Sequence, residues 1–570
     1  MFSHSIAVVT APGSTAASAD APRDADEPDG FDEPDGFDEP RGSRLDRWFA
    51  RTVNTPAKLR LYNWGLPAFV TLVAIVARLW ALGDPHSLIF DETFYVKDAW
   101  TLLHKGWEAA WPANIDQAFA DGDVNSYTND PEFVAHPPFG KWMMAVGLAI
   151  FGAQNAVGWR ISTAVVGILA VVLLMLIAKR MFRSTLIASV AGFIMAIDGN
   201  AIVMSRVAIL DDSVMFLALL AFGCLLLDRS WHEKRLAAWV AARVEQGRTL
   251  GWGPWMWWRP WLLAAGILLG LDAGVKWTGF YFLAFFAVYV VLVDVLARRR
   301  AGVSDWPEAG ILKGGIVAFV LMVPVAFVVY VGTWAGWLLN PGGYYRNWVQ
   351  TTPGAHWTGA LSWVPDWAQN LWHYQSEMYG YSINLHTPHP YQSNPLTWLL
   401  QLRPTSMYYL GTNDGSGGCT SSGGCASAIT DLGNPIIWWA GTAAVIYLIY
   451  RLIRYRDWRH GMILMGLAAG YLPWMLYTGR TIFTFYSIAF APYLYLALAA
   501  VFALIVGRPT DESYDRVRGL STLVVFLVII TGVSVFFYPI WTGMQIPFSY
   551  WQMHMWLPNF TTGIGTIGWI

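Results

Sequence analysis

Charged side chains are scarce in this chain: they make up 13% of its 570 residues, while 55% are hydrophobic. Soluble domains carry about one quarter charged residues, so the composition excludes an ordinary soluble fold and indicates an integral membrane protein. The formal net charge is only −2, which excludes a polybasic nucleic-acid binder. Cysteine is equally rare. Three residues cannot make a disulfide framework; Cys224 lies in an apolar run, whereas Cys419 and Cys425 share the Gly/Ser-rich stretch 415–427 and could pair if that loop is exported. Residues 1–60 contain no sufficient apolar core for a signal peptide, so the first spanning helix is expected to direct insertion. A phosphate-binding glycine loop, a dinucleotide fingerprint and a serine-nucleophile elbow are all absent, which argues against nucleotide-driven chemistry. Metal motifs are absent too: Thr387-Pro388 between His386 and His389 breaks the helix that would aim both at one ion. These patterns indicate no particular cofactor and leave open whether a divalent ion assists.

What the chain does contain is long apolar runs. A ~30 Å hydrocarbon core needs about 20 residues, and suitable runs occur near 64–83, 161–178, 184–198, 212–228, 261–277, 278–297, 313–333, 435–453, 461–478, 483–507 and 519–541. The expected fold is an all-α membrane bundle of about eleven helices. Residues 1–43, with the acidic repeat 26–37, cannot bury enough apolar surface to offset their ordering entropy and are expected to be a disordered cytoplasmic tail. Arg41, Arg44, Arg47, Arg51, Lys58 and Arg60 precede the first run, which places the amino terminus in the cytoplasm. Alternation then puts every later basic cluster on the same side. Residues 84–160 and 334–434 become two large outer loops, and 542–570 an outer segment with Trp551, Trp556 and Trp569 at the interface. Lys141–Gly152, apolar but only about a dozen residues long, is expected to be re-entrant or interfacial on the outer side.

Most of the candidate chemistry falls on that outer side. Asp91-Glu92 follows the first span among Ile89, Phe90, Phe94 and Tyr95, where desolvation and mutual repulsion favour proton abstraction, although a solvated acidic pair at a helix start is equally compatible. His136-Pro137-Pro138-Phe139-Gly140-Lys141 holds a titratable and a cationic side chain on a rigid turn; the plain alternative is a helix start with a snorkelling lysine. Arg160 and Arg206 are charges at membrane depth that need a partner, either a lipid phosphate or, for Arg206, Asp211 or Asp212. Asp272 and Lys276, one turn apart, are expected to neutralise each other. Arg480, without an obvious local partner, is a further anion-binding candidate.

The ordered set Asp91-Glu92, His136 to Lys141, Trp159-Arg160, Ser205-Arg206 to Asp211 and Lys276-Trp277-Thr278-Gly279 resembles the protein O-mannosyltransferases, most closely their actinobacterial branch. The outer stretch from Leu385 to Pro395 adds to the likeness, which covers nearly everything after residue 60. The resemblance implies a GT-C-type fold over 44–541, an essential Asp-Glu pair at Asp91 and Glu92, and mannose transfer from a polyprenyl phosphate to Ser/Thr hydroxyls of exported proteins at the outer face of the plasma membrane. It also implies inversion at the sugar. Residues 334–434 are too short for the β-trefoil domain of the eukaryotic relatives.

The implied reaction needs one base and a cationic cradle for the departing phosphate. Asp91 is expected to be the base, Glu92 to orient the acceptor or support Asp91, and Arg160, Arg206, Lys141 and Arg480, in that order, to hold the phosphate. His136, Asp211 and Lys276 are expected to support them. Expected partners are the polyprenyl-phosphate-mannose donor, exported Ser/Thr-rich proteins, the lipid bilayer and, as a further expectation, the export machinery. Two rival readings are a GT-C transferase acting on a glycolipid or polysaccharide and a flippase for a lipid-linked sugar. An oligosaccharyltransferase is disfavoured because Trp438-Trp439 is followed by Ala440 rather than aspartate.

Overall fold

The computed structural model describes residues 50–51, 53–507, 513–557 and 569, so the expected acidic tail lies outside the described residues. The architecture is a helical bundle. In chain order its main helices are α1 (Pro56–Leu79), α2 (Glu92–Lys105), α3 (Phe139–Phe151), α4 (Ala156–Phe182), α5 (Thr185–Ile197), α6 (Gly199–Arg206), α7 (Asp211–Glu245), α8 (Pro260–Val275) and α9 (Thr278–Arg300). There follow α10 (Gly315–Thr333), α11 (Asp366–Ile383), α12 (Pro435–Tyr455), α13 (Trp458–Tyr471), α14 (Ala491–Val506) and α15 (Ser513–Thr542). Helix starts coincide with capping residues: Thr55, Asn155 and Ser184 each accept a hydrogen bond from a backbone N–H in the following turn.

The eleven expected runs are all largely helical, but they are not eleven uniform spans. Among the described residues, seven helices are long and apolar enough to cross a membrane, and an eighth span is possible if the α5–α6 pair, bent by 60°, counts as one. The remaining runs correspond to α8, α13 and α14, of 16, 14 and 16 residues, the last two flanked by 3-10 turns. Helix α3 has 13 residues, about 20 Å at 1.5 Å per residue, too short to span alone. At the α5–α6 break the buried Asp198 carboxylate is paired: it accepts from Asn434 N–H (2.8 Å), the Tyr495 hydroxyl (2.8 Å), Trp438 Nε1 (3.3 Å) and Ala201 N–H (3.4 Å).

Within a bilayer, helices associate through close packing rather than water exclusion, and small residues set how closely they can approach. Gly266, Gly270 and Gly274 form such a stripe on α8. A Cβ at Gly270 would lie 2.5 Å from the Ala326 carbonyl, and one at Gly266 2.5 Å from that of Leu321, so α8 rests directly on the α10 backbone. That contact fixes the end of α8, where Lys276 emerges. At the far end of the bundle, Arg259 joins Asp228 and Asp294, tying the start of α8 to α7 and α9.

One element was not expected. A small antiparallel sheet, ordered β1-β2-β3, is made from β1 (Thr405–Thr412), β2 (Cys425–Asp431) and β3 (Gln545–Pro547). Strand β2 is buried along its whole length, and a Cys419–Cys425 disulfide closes the turn leading into it. The expectation for Trp569 is corrected: its ring is buried, with Nε1 donating to the Gln401 carbonyl at 2.7 Å, so it anchors the chain inside the bundle rather than at an interface.

Candidate active site

The site begins with the short connection between α1 and α2. Glu92, the first residue of α2, is 0% exposed. Its Oε1 accepts from Arg160 Nε (2.8 Å) and Ala208 N–H (2.9 Å), and its Oε2 from Arg160 Nη2 (2.8 Å) and Ile89 N–H (3.1 Å). The same arginine donates to the carbonyls of Leu82, Pro85 and Ser87. Arg160, on α4, thus spends all five of its N–H donors on Glu92 and the 82–87 backbone. Arg206 does similar work one layer away: it donates to the carbonyls of Arg78, Trp80 and Ala81. The alternative of an Arg206 pair with Asp211 or Asp212 is therefore not what the structure shows: its guanidinium caps the end of α1.

Clamped from both sides, the connection holds Phe90 at φ +48°, a left-handed conformation that a bulky side chain rarely adopts. The Phe90 ring is seated edge-on against Phe485 (5.5 Å), Phe483 (5.9 Å) and His389 (6.2 Å). Asp91 follows directly and, unlike Glu92, remains partly exposed. Burial pushes its carboxyl up to about 6; Asp211 adds to the rise, while Lys276 and a hydrogen bond from Tyr95 oppose it. A carboxylate in that range is ionised at neutral pH yet is a better base than a free aspartate.

Around Asp91 stand residues from across the chain. Lys276 Nζ bonds both oxygens of Asp211 (2.9 and 3.1 Å) and lies 3.8 Å from the centre of the Tyr486 ring. The expected neutralisation of Asp272 by Lys276 is thereby corrected: the chain leaves the helix after Val275, and Lys276, extended at ψ 145°, turns its side chain to Asp211 instead. His136 lies beside Tyr95, ring centres 6.2 Å apart. Burial and the charges of Lys276, Arg480 and Lys141 hold its imidazole well below the usual histidine range, hence neutral. Lys141 itself bonds Glu108 (2.5 Å) and Asp98 (3.4 Å), which joins α3 to α2.

Arg480 differs from the other cations. Among the described residues its side chain makes no hydrogen bond or ion pair, and its buried Nε lacks a partner. Its charge nevertheless acts on His136 and Tyr486. The backbone around it is fixed by the 385–393 stretch: Thr481 N–H donates to the Leu385 carbonyl (3.0 Å), His386 Nδ1 contacts the Gly479 carbonyl (2.8 Å) and Ser393 N–H donates to the Ile482 carbonyl (2.9 Å). The histidines of this stretch thus serve its own architecture and the Phe90 pocket.

Asp91, His136, Asp211, Lys276 and Arg480 are therefore brought together, whereas Glu92, Arg160, Arg206 and Lys141 form the frame behind them. Sequence reasoning took Tyr95 only as an aromatic flank of Asp91-Glu92 and missed Tyr486, since a tyrosine in an aromatic-rich chain gives no signal of its own. Tyr95 could have been noticed four residues after Asp91, one helical turn away. Among the described residues, no group of three or more His, Cys, Asp or Glu side chains is positioned to hold a metal.

Most of the chain is similar to known proteins. Residues 68–340 match the family described as dolichyl-phosphate-mannose-protein mannosyltransferase, and residues 367–560 the C-terminal four-transmembrane region of protein-O-mannosyltransferase. The polyprenol-phosphate-mannose–protein mannosyltransferase of Mycolicibacterium smegmatis is 33% identical over 88% of this chain and 93% of its own length. That of Mycobacterium tuberculosis is 32% identical over 88% of this chain and 92% of its own. The fold is similar to a chain of the S. cerevisiae protein O-mannosyltransferase Pmt1-Pmt2 complex bound to the sugar donor, with a TM-score of 0.64 at 14% identity, covering 90% of this chain and 94% of that one. The chain accordingly belongs to the protein O-mannosyltransferase family, as a multi-pass membrane glycosyltransferase.

Proposed function

We propose that the chain transfers mannose from a polyprenyl phosphate to Ser/Thr hydroxyls of exported proteins at the outer face of the plasma membrane. The observation that carries this reading is that one partly exposed, poised carboxylate, Asp91, and the uncommitted cation Arg480 both act on the same buried tyrosine, Tyr486. Asp91 takes the acceptor proton as the hydroxyl oxygen attacks the anomeric carbon. The bond from that carbon to the phosphate oxygen breaks, and the electron pair leaves with the phosphate. Arg480 stabilises the growing anion, with Lys276 supplying a second charge from its Asp211 pair. A single displacement of this kind inverts the sugar, from a β-linked lipid phosphomannose to an α-linked protein mannose. Glu92 supports Asp91 rather than acting as a base, since all its acceptor directions are in use. Arg160, Arg206 and Lys141 hold the scaffold, which moves the phosphate-holding role to Arg480.

The Cys419–Cys425 disulfide suits an extracytoplasmic site. The test is transfer of labelled mannose from polyprenyl phosphomannose to a Ser/Thr/Pro-rich peptide, by membranes bearing wild type or Asp91→Asn in a host lacking its own activity. Transfer by wild type and its loss in an equally abundant Asp91→Asn is expected. Transfer only to a glycan would refute the protein acceptor, and full activity of Asp91→Asn would refute the base.

A further inference from the structure

Strand β1 is one of the two outer strands of the three-stranded sheet, and its free edge can be read residue by residue. The carbonyls of Gly424 and Ala428 accept from Phe548 N–H and Gly543 N–H, on the β3 side of β2. Backbone groups alternate along a strand, so Ala426 between them turns the same way. In an antiparallel ladder, residues directly opposite either exchange both hydrogen bonds or both turn away. Ala428 stands opposite Tyr409, and Ala426 opposite Gly411. The N–H and C=O groups of Tyr409 and Gly411 consequently point outward, and among the described residues no backbone group meets them.

Open edges are usually blunted by charges, proline or a covering segment. Strand β1 reads Thr-Ser-Met-Tyr-Tyr-Leu-Gly-Thr, with no charge and no proline, and Tyr409 and Leu410 are 47% and 51% exposed. Its other end runs into the active site. The Arg403 carbonyl, two residues before β1, accepts from the Thr484 hydroxyl, and the adjacent Phe485 packs on Phe90. Just before β3, a Cβ at Gly543 would touch both Ile429 of β2 and Pro85 of the Asp91 connection.

We propose that an extended segment of the acceptor polypeptide adds to the open edge of β1 as a further strand, through the outward backbone groups of Tyr409 and Gly411. The inference deepens the acceptor assignment above and rests on it. Main-chain pairing of this type binds unfolded chains with little regard for side chains, which suits an enzyme meeting many polypeptides. Because the edge leads to Asp91, it serves a segment whose hydroxyl must arrive there, and this favours the acceptor over a second copy of the chain. Six residues separate Arg403 from Tyr409, about 20 Å along a strand, so the paired segment lies several residues from the modified hydroxyl.

The test uses the full chain in lipid nanodiscs, polyprenyl phosphomannose and a peptide of about ten residues with one threonine, scanned by backbone N-methylation, since pairing through alternate residues gives a two-residue period. A photoreactive residue replacing Leu410 reports binding independently of transfer. N-methylation at alternate peptide positions is expected to raise the acceptor KM about tenfold per lost hydrogen bond, with the intervening positions tolerant and kcat little changed. Gly411→Pro, tolerated where the N–H faces outward, should raise KM for this peptide and not for a three-residue acceptor. Transfer with evenly tolerated N-methylation and no crosslink at position 410 overturns edge docking while the proposed activity stands. Crosslinking with a two-residue period but no transfer supports docking and overturns the activity. Absence of both overturns both. The peptide scan uses the unmodified chain, so it remains decisive if Gly411→Pro fails to fold.

Discussion

Replacing Glu92 by glutamine preserves the shape of the side chain and removes its charge. In the native protein the carboxylate is fully buried and receives four hydrogen bonds, two from Arg160 and two from the backbone at Ile89 and Ala208. Glutamine can accept on one side only, so its amide nitrogen meets N–H donors that need an acceptor. The Arg160 charge is left buried with only carbonyl partners. Breaking a buried pair from one side costs about 3–5 kcal/mol, and each orphaned buried donor adds roughly 1–3 kcal/mol. The loss is therefore a large part of a native stability of about 5–15 kcal/mol. Glu92→Gln is expected to lower the apparent melting temperature in detergent and to reduce transfer together with it, because the strained Phe90-Asp91 segment is released. Asp91→Asn should abolish transfer with the melting temperature unchanged. In a double-mutant cycle, Glu92→Gln and Arg160→Met should be less than additive by about 0.5–3 kcal/mol. An inactive Glu92→Gln with unaltered melting temperature, or strict additivity with Arg160→Met, would refute the frame argument and return Glu92 to the chemistry.

Three other consequences are open to measurement. Asp91 acts as a base only when ionised, so with its carboxyl raised to about 6 transfer should be full above that pH and fall as the pH drops through it, about tenfold per unit well below. Tyr95→Phe removes a donor that favours the ionised form and should move the limb to higher pH, and an unmoved limb would exclude Asp91 as the titrating group. Arg480→Gln should raise the donor KM roughly 10- to 100-fold, as expected for hydrogen bonds to a charged group, and leave the apparent melting temperature unchanged because no side-chain bond is lost; a normal donor KM would shift the phosphate to Lys276. Gly270→Leu introduces a side chain where a Cβ already comes within 2.5 Å of the Ala326 carbonyl, so it should separate α8 from α10, destabilise the bundle by at least about 1–3 kcal/mol and impair transfer through Lys276; a fully stable, active variant would show that this contact does not position the lysine.

The sequence by itself determined the membrane class, the approximate positions of the apolar helices and the identity of the chemically important residue types, because hydropathy and composition act over short windows and need no fold. It also marked Arg480 as lacking an evident local partner, and Asp91 and His136 as titratable groups at the outer membrane edge. What it could not decide was partnership between distant segments. Arg160 and Glu92 are 68 positions apart and Lys276 and Asp211 are 65, so local spacing paired Lys276 with Asp272 and left Arg160 free for a phosphate. Only the tertiary structure assigns each buried charge its counter-charge, since burial makes an unpaired ion too costly and the packing of the helices determines which partner lies within reach. The sheet was hidden for a related reason: β2, Cys-Ala-Ser-Ala-Ile-Thr-Asp, is covered on both sides and so shows no alternation of apolar and polar residues, and its register is fixed by strands drawn from two separate outer segments. The distinction between the carboxylate that frames the site and the one that faces it is absent from the pair Asp91-Glu92 as written; it comes from Arg160 and the Ile89 and Ala208 N–H groups, which gather around Glu92 and leave Asp91 partly exposed beside Lys276 and Asp211.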